Sequence, residues 1–426
     1  MYKPANIFKT QLFRVSSLNT LSIVVRIAGG LLASKMIALF IGPSGMALTG
    51  NLRNFLTSVD AFSTLGLQNG IIKYTAEHEK DDCKLKQVLA TVCLSIFATV
   101  VVVSFLLLML SSYFSSWIFN GNQNYSWVLQ LLAVVLPFYT GSLVFVAILN
   151  GFGSYKQVIW INIFGNAAGV VMSAILIWQM GLSGAFWGIV LSPVLVFLFS
   201  LFYISKQIVL SNIFKMKCFD KHLLKKLLSY SLMSLVTALL GPVVYISIRN
   251  YIVEVDGAEQ AGYWEAMGRI ATFYMLFVST LLTLYFLPKL SVAKTNKETK
   301  NIFFSYFKSI VPLYAVGLLV VYILRFFIVK LLFSADFLPM TDLFAWQLLG
   351  DFFKVCALIL GFEFFAKKMT SAFILVEGFL FLVLYCFSKI FISVYGSEGA
   401  VMAHALTGFL NFILLSVYFK IKYKTL

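Results

Sequence analysis

NIFGNAAGVVMSAILIWQMGLSGAFWGIVLSPVLVFLFSLFYISK, residues 162–206, contains no charged residue before the final Lys206. It is the larger part of two apolar runs, 156–179 and 183–205, that meet at Gly181-Leu182-Ser183-Gly184. A hydrocarbon layer of about 30 Å is crossed by roughly 20 apolar residues wound as a helix. Each run reaches that length, and glycines are natural breakers between helices. The stretch therefore reads as a helical hairpin through a membrane.

The same pattern extends outward in both directions. Apolar runs and breakers mark helices at 14–40, 46–73, 87–111, 126–150, 156–179, 183–205, 222–249, 260–288, 302–328, 340–366, 370–393 and 398–420. The links are too short to hold a soluble domain. The expected fold class is an all-α membrane protein of about twelve transmembrane helices in two six-helix lobes. These are an N-terminal lobe at 1–205, a basic cytoplasmic linker at 206–221 and a C-terminal lobe at 222–426. No cleavable leader is expected, and the first helix is read as a retained anchor.

Composition agrees. Hydrophobic residues make up 60% of the 426-residue chain and charged residues 12%, against about 25% charged in soluble domains. An ordinary soluble enzyme is excluded. The net charge of +16 does not point to nucleic acid, because its placement follows topology. Alternate links and the two tails hold 24 of the 33 Lys and Arg residues, whereas the opposite links hold only Lys330. Those opposite links carry Glu254, Asp256, Glu259 and Asp336 instead. Basic loops stay in the cytoplasm, so both termini are expected there. Cys83, Cys93, Cys218, Cys356 and Cys386 show no CxxC and no metal spacing.

An internal repeat is visible. Arg53 precedes Lys73 by 20 residues, and Arg269 precedes Lys289 by the same interval. Lys35 in the first half corresponds to Arg249 in the second. Gly181-Leu-Ser-Gly184-Ala185 recurs 215 residues later as Gly396-Ser-Glu-Gly399-Ala400. Six helices per copy makes the repeat parallel, and substrate sites in such transporters lie at the interface of the halves.

Charges inside membrane helices mark function or pairing. Arg26 lies beside Gly29-Gly30. Arg53, Thr57, Asp60 and Thr64 form one polar stripe on the second helix, and Glu265, Arg269 and Thr272 another on the eighth. Gln347, Asp351 and Lys354 share the tenth, and Glu377 stands alone on the eleventh. One reading makes Arg53–Asp60, Glu265–Arg269 and Asp351–Lys354 structural pairs. The other notes the surplus of Arg26, Lys35, Arg53, Arg249, Arg269 and Lys354 over Asp60, Asp351, Glu265 and Glu377. That surplus suits an anionic ligand, since Arg forks onto phosphate oxygens and Lys serves as a point charge. The six cations are therefore the candidate substrate-binding residues, and Asp60, Asp351 and Glu377 the candidates for ion coupling. Glu363 and Lys389 are expected to snorkel from helix ends, and His404 to be a packed polar residue. There is no GxxxxGK[ST] loop, and no cofactor, metal site or catalytic residue is expected.

Several segments carry a family resemblance: Arg26-Ile-Ala-Gly-Gly through Lys35, Phe40-Ile-Gly-Pro-Ser-Gly45, Gly70-Ile-Ile-Lys-Tyr74 and Asp342-Leu-Phe-Ala-Trp-Gln-Leu-Leu-Gly-Asp-Phe-Phe-Lys354. They resemble the Wzx flippases, polysaccharide-precursor translocases of the multidrug/oligosaccharidyl-lipid/polysaccharide exporter superfamily. Within that family the likeness leans toward those carrying enterobacterial common antigen. The resemblance implies a central cationic cavity and alternating access. The implied substrate is an undecaprenyl-pyrophosphate-linked oligosaccharide, an O-antigen or common-antigen unit, moved to the periplasmic leaflet of the bacterial inner membrane. It further implies contact with membrane lipids and other polysaccharide-assembly proteins, with Arg26, Lys35, Arg53 and Lys354 in the cavity. Two alternatives stand beside it. A drug/cation antiporter of the same superfamily would want an acidic cavity. A membrane glycosyltransferase or polymerase would want an acidic centre at one membrane face.

Overall fold

The computed structural model describes residues 11–207, 218–293, 295–367 and 369–422, and every regular element within them is helical. The first half comprises α1 (Gln11–Phe40), α2 (Gly42–Ser63), α3 (Gln68–Glu77), α4 (Asp82–Met109), α5 (Ser111–Ile118), α6 (Ser126–Gly151) and α7 (Tyr155–Ile204). Next come α8 (Lys221–Asp256), α9 (Ala258–Leu281), a π turn at Leu282–Phe286, α10 (Leu287–Val292) and α11 (Asn296–Ile323). The chain ends with α12 (Arg325–Leu332), α13 (Phe344–Ala366), α14 (Thr370–Tyr395) and α15 (Ser397–Lys422). Lys3, Lys9, Lys215, Lys217, Lys294, Lys368 and Lys424 of the orientation argument lie outside the described residues.

Among the described residues, 8 helices are long and apolar enough to cross a membrane. The longest, α7, turns back at Gly181 (φ 57°, ψ −127°) and supplies two spans. The remaining crossings are α2, α9 and α13, which carry the charged stripes. Three short helices depart from the sequence expectation. α3 is split from α2 by the turn at Leu65 and Gly66, where one helix is expected over 46–73. α5 and α12 fall at expected helix ends and outer loops and are too brief for a periodic signal.

Turn chemistry shows why the halves repeat. Gly42 (φ 81°) joins α1 to α2, and Gly257 (φ 98°), 215 residues later, joins α8 to α9. Gly181 (φ 57°) and Gly396 (φ 58°) make the final reversal of each half, again 215 apart. An L-residue is strained in this region, and glycine is not. Past each reversal the chain returns so closely that a Cβ on Gly184 would lie 1.9 Å from the Leu176 carbonyl oxygen. A Cβ on Gly399 would likewise lie 2.3 Å from the Phe391 carbonyl carbon.

The helices group into two compact units. One is Met1–Phe40 with Leu52–Leu239, and the other is Ile41–Asn51 with Leu240–Leu426. Relative to a cut at 206–221, two helix ends are exchanged. The early part of α8 packs in the first unit, where Leu227 meets Gly70 and Ser58 Oγ donates to the Ala238 carbonyl at 3.3 Å. The first turns of α2 pack in the second unit, against α9. There a Cβ on Gly262 would fall 1.9 Å from the Pro43 carbonyl oxygen, whereas Gly268 on the same helix has nothing within 4 Å. Gly262→Ala is accordingly expected to cost at least about 1–3 kcal/mol. Gly268→Ala should leave thermal unfolding in detergent unchanged or slightly improved.

Local signals end the helices. Asp81 caps α4 by accepting from the Lys84 backbone N–H at 3.2 Å. That bond, with the neighbouring ammonium, holds its carboxyl below the usual range. Thr295 and Glu298 form a capping box on α11, with contacts of 3.2 and 3.3 Å.

Candidate functional site

In the first unit, Arg26 on α1 and Arg53 on α2 keep exposed surface, and Lys35 is half-buried. Close helix packing frames them: a Cβ on Gly29 would meet Val170 of α7 at 2.9 Å. The stripe of α2 runs from exposed Arg53 and Thr57 to half-buried Asp60 and buried Thr64. Thr57 and Thr64 spend their hydroxyls on the carbonyls one turn back, of Arg53 and Asp60, at 3.1 and 2.7 Å. Asp60 is bound by the Tyr139 hydroxyl of α6 through Oδ2, while its buried Oδ1 has no partner among the described residues. The acid's partner is thus a tyrosine 79 residues away rather than Arg53.

In the second unit the cations are treated differently. Arg249, 3% exposed, binds Glu265 and Asn51 through its terminal nitrogens and stands over Trp264 at 5.3 Å. Arg269 Nε meets the other oxygen of Glu265 at 3.0 Å, and its NH2 reaches Thr49 at 3.4 Å. Asn51 also accepts Arg249 while donating to Asn250 at 2.8 Å. One carboxylate therefore holds two buried guanidinium groups and ties the start of α2 to α8 and α9. The Glu265–Arg269 pair is as expected. Arg249 as its second partner, and Asn51, carried no local signal.

A second cluster surrounds Asp351 of α13, which is 1% exposed. It accepts from Tyr274 of α9, from Gln347 at 2.9 Å and from His404 Nε2 of α15 at 3.0 Å. A carboxylate can only accept, so Nε2 carries the hydrogen. His404 reaches it because α13 and α15 cross at small residues. A Cβ on Gly350 would lie 2.4 Å from the His404 ring and 3.0 Å from Ala405 Cα. Asp351 is thus ringed by donors other than Lys354, and His404 is a member of the site. Lys354 keeps accessible surface within electrostatic range of Asp351, Tyr245 and half-buried Glu377.

Two further expectations are corrected. Glu363 does not snorkel: it is 1% exposed and bound by Lys422 Nζ at 2.8 Å. Lys389 is half-buried and sits over the Tyr251 ring at 3.6 Å. Both find partners from other helices.

Comparison with known proteins agrees with this architecture. The chain is 28% identical over 393 residues to the lipid III flippase of Escherichia coli (strain K12), covering 92% of this chain and 94% of that protein. The lipid III flippase of Shigella flexneri gives the same figures. Among solved structures, an inward-facing multidrug resistance MATE family transporter of the MOP superfamily superposes with a TM-score of 0.80. Its identity is 14%, over 95% of this chain and 98% of that one. An outward-facing MATE transporter superposes at 0.68, with 15% identity over 100% and 99% of the two chains. The MOP transporter fold is thereby established for this chain. Residues 14–294 match the profile of the family described as polysaccharide biosynthesis protein, and the chain belongs to that family.

Proposed function

We propose that the protein is a flippase for an undecaprenyl-pyrophosphate-linked oligosaccharide, an O-antigen or enterobacterial common antigen unit. It moves this lipid from the cytoplasmic to the periplasmic leaflet of the bacterial inner membrane by alternating access. The observation that carries the reading is the set of accessible cations at membrane depth: Arg26, Arg53 and Lys354, with half-buried Lys35. An exposed charge there cannot rest against hydrocarbon, so it must face water or an anion. The name of the relatives, lipid III flippase, supports a lipid-linked substrate. A drug-cation antiporter is disfavoured by the sign of these charges.

In this reading Arg53 and Arg26 fork onto the pyrophosphate while Lys35 and Lys354 act as point charges. Arg249 and Arg269, engaged by Glu265, leave the second unit a net positive charge there. Asp60, Asp351 and Glu377 are the acids placed to couple transport to an ion gradient. Deleting the gene should make the lipid-linked glycan accumulate in the cytoplasmic leaflet. Absence of the glycan lipid would instead mean a synthetic enzyme and overturn the reading.

Both termini lie in the cytoplasm in this proposal. Cys83 is exposed, Cys218 intermediate, and Cys93 and Cys356 buried within α4 and α13. An impermeant thiol reagent should therefore label Cys83 and Cys218 only after permeabilisation of spheroplasts. Labelling of Cys218 in intact spheroplasts would reverse the orientation.

A further inference from the structure

Two cations beyond the end of α11 run against the charge bias that orients the chain. Arg325 and Lys330 both lie on α12, at the end that the proposed orientation puts in the periplasm. α11 is 28 residues long and starts from the capping box at Thr295. At 1.5 Å per residue that is about 40 Å, more than the hydrocarbon layer of about 30 Å. The end of α11 at Ile323, and α12 after it, therefore stand at headgroup level.

The first unit repeats this arrangement without the charge. α4 also has 28 residues, breaks at Leu110 and passes into α5. α11 breaks at Leu324, 214 residues later, and passes into α12. Both short helices have 8 residues, but α5 reads Ser111-Ser-Tyr-Phe-Ser-Ser-Trp-Ile118 and α12 reads Arg325-Phe-Phe-Ile-Val-Lys-Leu-Leu332. α5 buries Ser111, Ser115 and Ile118 and packs Phe114 on Phe55, with ring centroids 5.4 Å apart. Of the residues of α12 only Val329 is buried. Phe326, Phe327 and Leu331 are each at least half exposed, and exposed Lys330 stands among them.

Arg325 is positioned but not neutralised. Its NH1 donates to the Tyr322 carbonyl at 3.0 Å. The guanidinium carbon lies 4.2 Å from the Tyr322 ring centroid and 4.6 Å from that of Phe326. Among the described residues no carboxylate pairs with it. A guanidinium has five N–H donors in a fixed fork, so most of those on Arg325 are left for an anion.

We propose that α12 is a binding site for an anionic phospholipid of the periplasmic leaflet. Arg325 and Lys330 meet the headgroup phosphate, and Phe326, Phe327 and Leu331 lie against the acyl chains. An exposed apolar face at headgroup level takes up chains, and long basic side chains on it reach the phosphates above them. A headgroup of net negative charge, such as phosphatidylglycerol, suits two cations, whereas a zwitterionic one brings its own ammonium. α5, which has no cation, has no such preference. The leaflet rests on the proposed orientation; the site itself rests on neither orientation nor transport.

The full-length protein is placed in nanodiscs of phosphatidylcholine alone, or with about 30% phosphatidylglycerol, and hydrogen exchange is read over 322–332 and 111–118. A lipid bound at about ten times its Kd slows exchange through local opening about tenfold. Phosphatidylglycerol should slow 322–332 by about that factor and leave 111–118 unchanged. Arg325→Gln/Lys330→Gln should abolish the response while exchanging like the wild-type protein in phosphatidylcholine, which shows that the helix is still folded. Lys330→Gln alone, on the exposed face, should keep only about a threefold slowing. A further arm adds undecaprenyl pyrophosphate to phosphatidylcholine.

Equal slowing of 111–118, or a response of 322–332 that survives in the double variant, overturns the site. So does slowing by undecaprenyl pyrophosphate without a response to phosphatidylglycerol, which would make the ligand a lipid of the transported class. Labelling of Cys218 in intact spheroplasts would overturn the leaflet alone. Absence of the glycan lipid on deletion would overturn the flippase reading alone.

Discussion

Glu265→Ala is expected to remove most of the folded protein from the membrane. Glu265 is the carboxylate between Arg249 and Arg269, with contacts that include Arg269 Nε at 3.0 Å. Truncating it leaves two guanidinium groups buried beside each other, and the loss of one partner of a buried pair costs about 3–5 kcal/mol. Stability of a domain is itself only about 5–15 kcal/mol. The measurement is the amount of inserted protein and its thermal unfolding in detergent. Replacing Arg249 by Met in the same variant should recover part of the loss, because one uncompensated charge is removed. Normal stability in the single variant would mean that these arginines are not held by Glu265.

Arg53→Ala and Lys354→Ala should behave in the opposite way: normal abundance and little transport. Both side chains keep accessible surface, so removing them leaves no large cavity. Each hydrogen bond from a charged donor to a phosphate contributes about 1.5–3 kcal/mol. At about 1.4 kcal/mol per tenfold, glycan export normalised to inserted protein should fall by roughly 10- to 100-fold. Arg53→Lys should keep part of the activity, since the charge survives and the fork does not. Export at the wild-type rate from either alanine variant would take that residue out of the substrate path.

The contrast between these variants marks where the sequence was legible. Helix number and the repeat are written in local features: apolar length, and turn glycines whose positive φ strains most other residues. Gly181 and Gly396 could be paired from sequence for that reason, and Gly42 and Gly257 obey the same offset. The partners of the charges were legible only within one helix, as for Glu265 and Arg269, four residues apart. Tyr139 with Asp60, His404 with Asp351 and Lys422 with Glu363 are separated by 79, 53 and 59 residues. Nothing along the chain brings them together. Helix crossings do so, and these depend on contacts such as Gly350 against His404 that no periodicity encodes. The equivalence of Arg53 and Arg269 was legible, but their different surroundings were not. Arg269 is buried against Glu265 four residues away, whereas Arg53 stays accessible.

Lipid-linked glycan flipping through the accessible cations can be followed in a reconstituted system. Purified protein is placed in liposomes with undecaprenyl-pyrophosphate-linked oligosaccharide, and the glycan open to an impermeant oxidant is followed with time. This fraction should rise beyond the outer-leaflet share with the wild-type protein, and fail to rise with the Arg53→Ala/Lys354→Ala double variant. A fraction that stays at the outer-leaflet share with active wild-type protein, or that rises equally with the double variant, would contradict flipping through these cations.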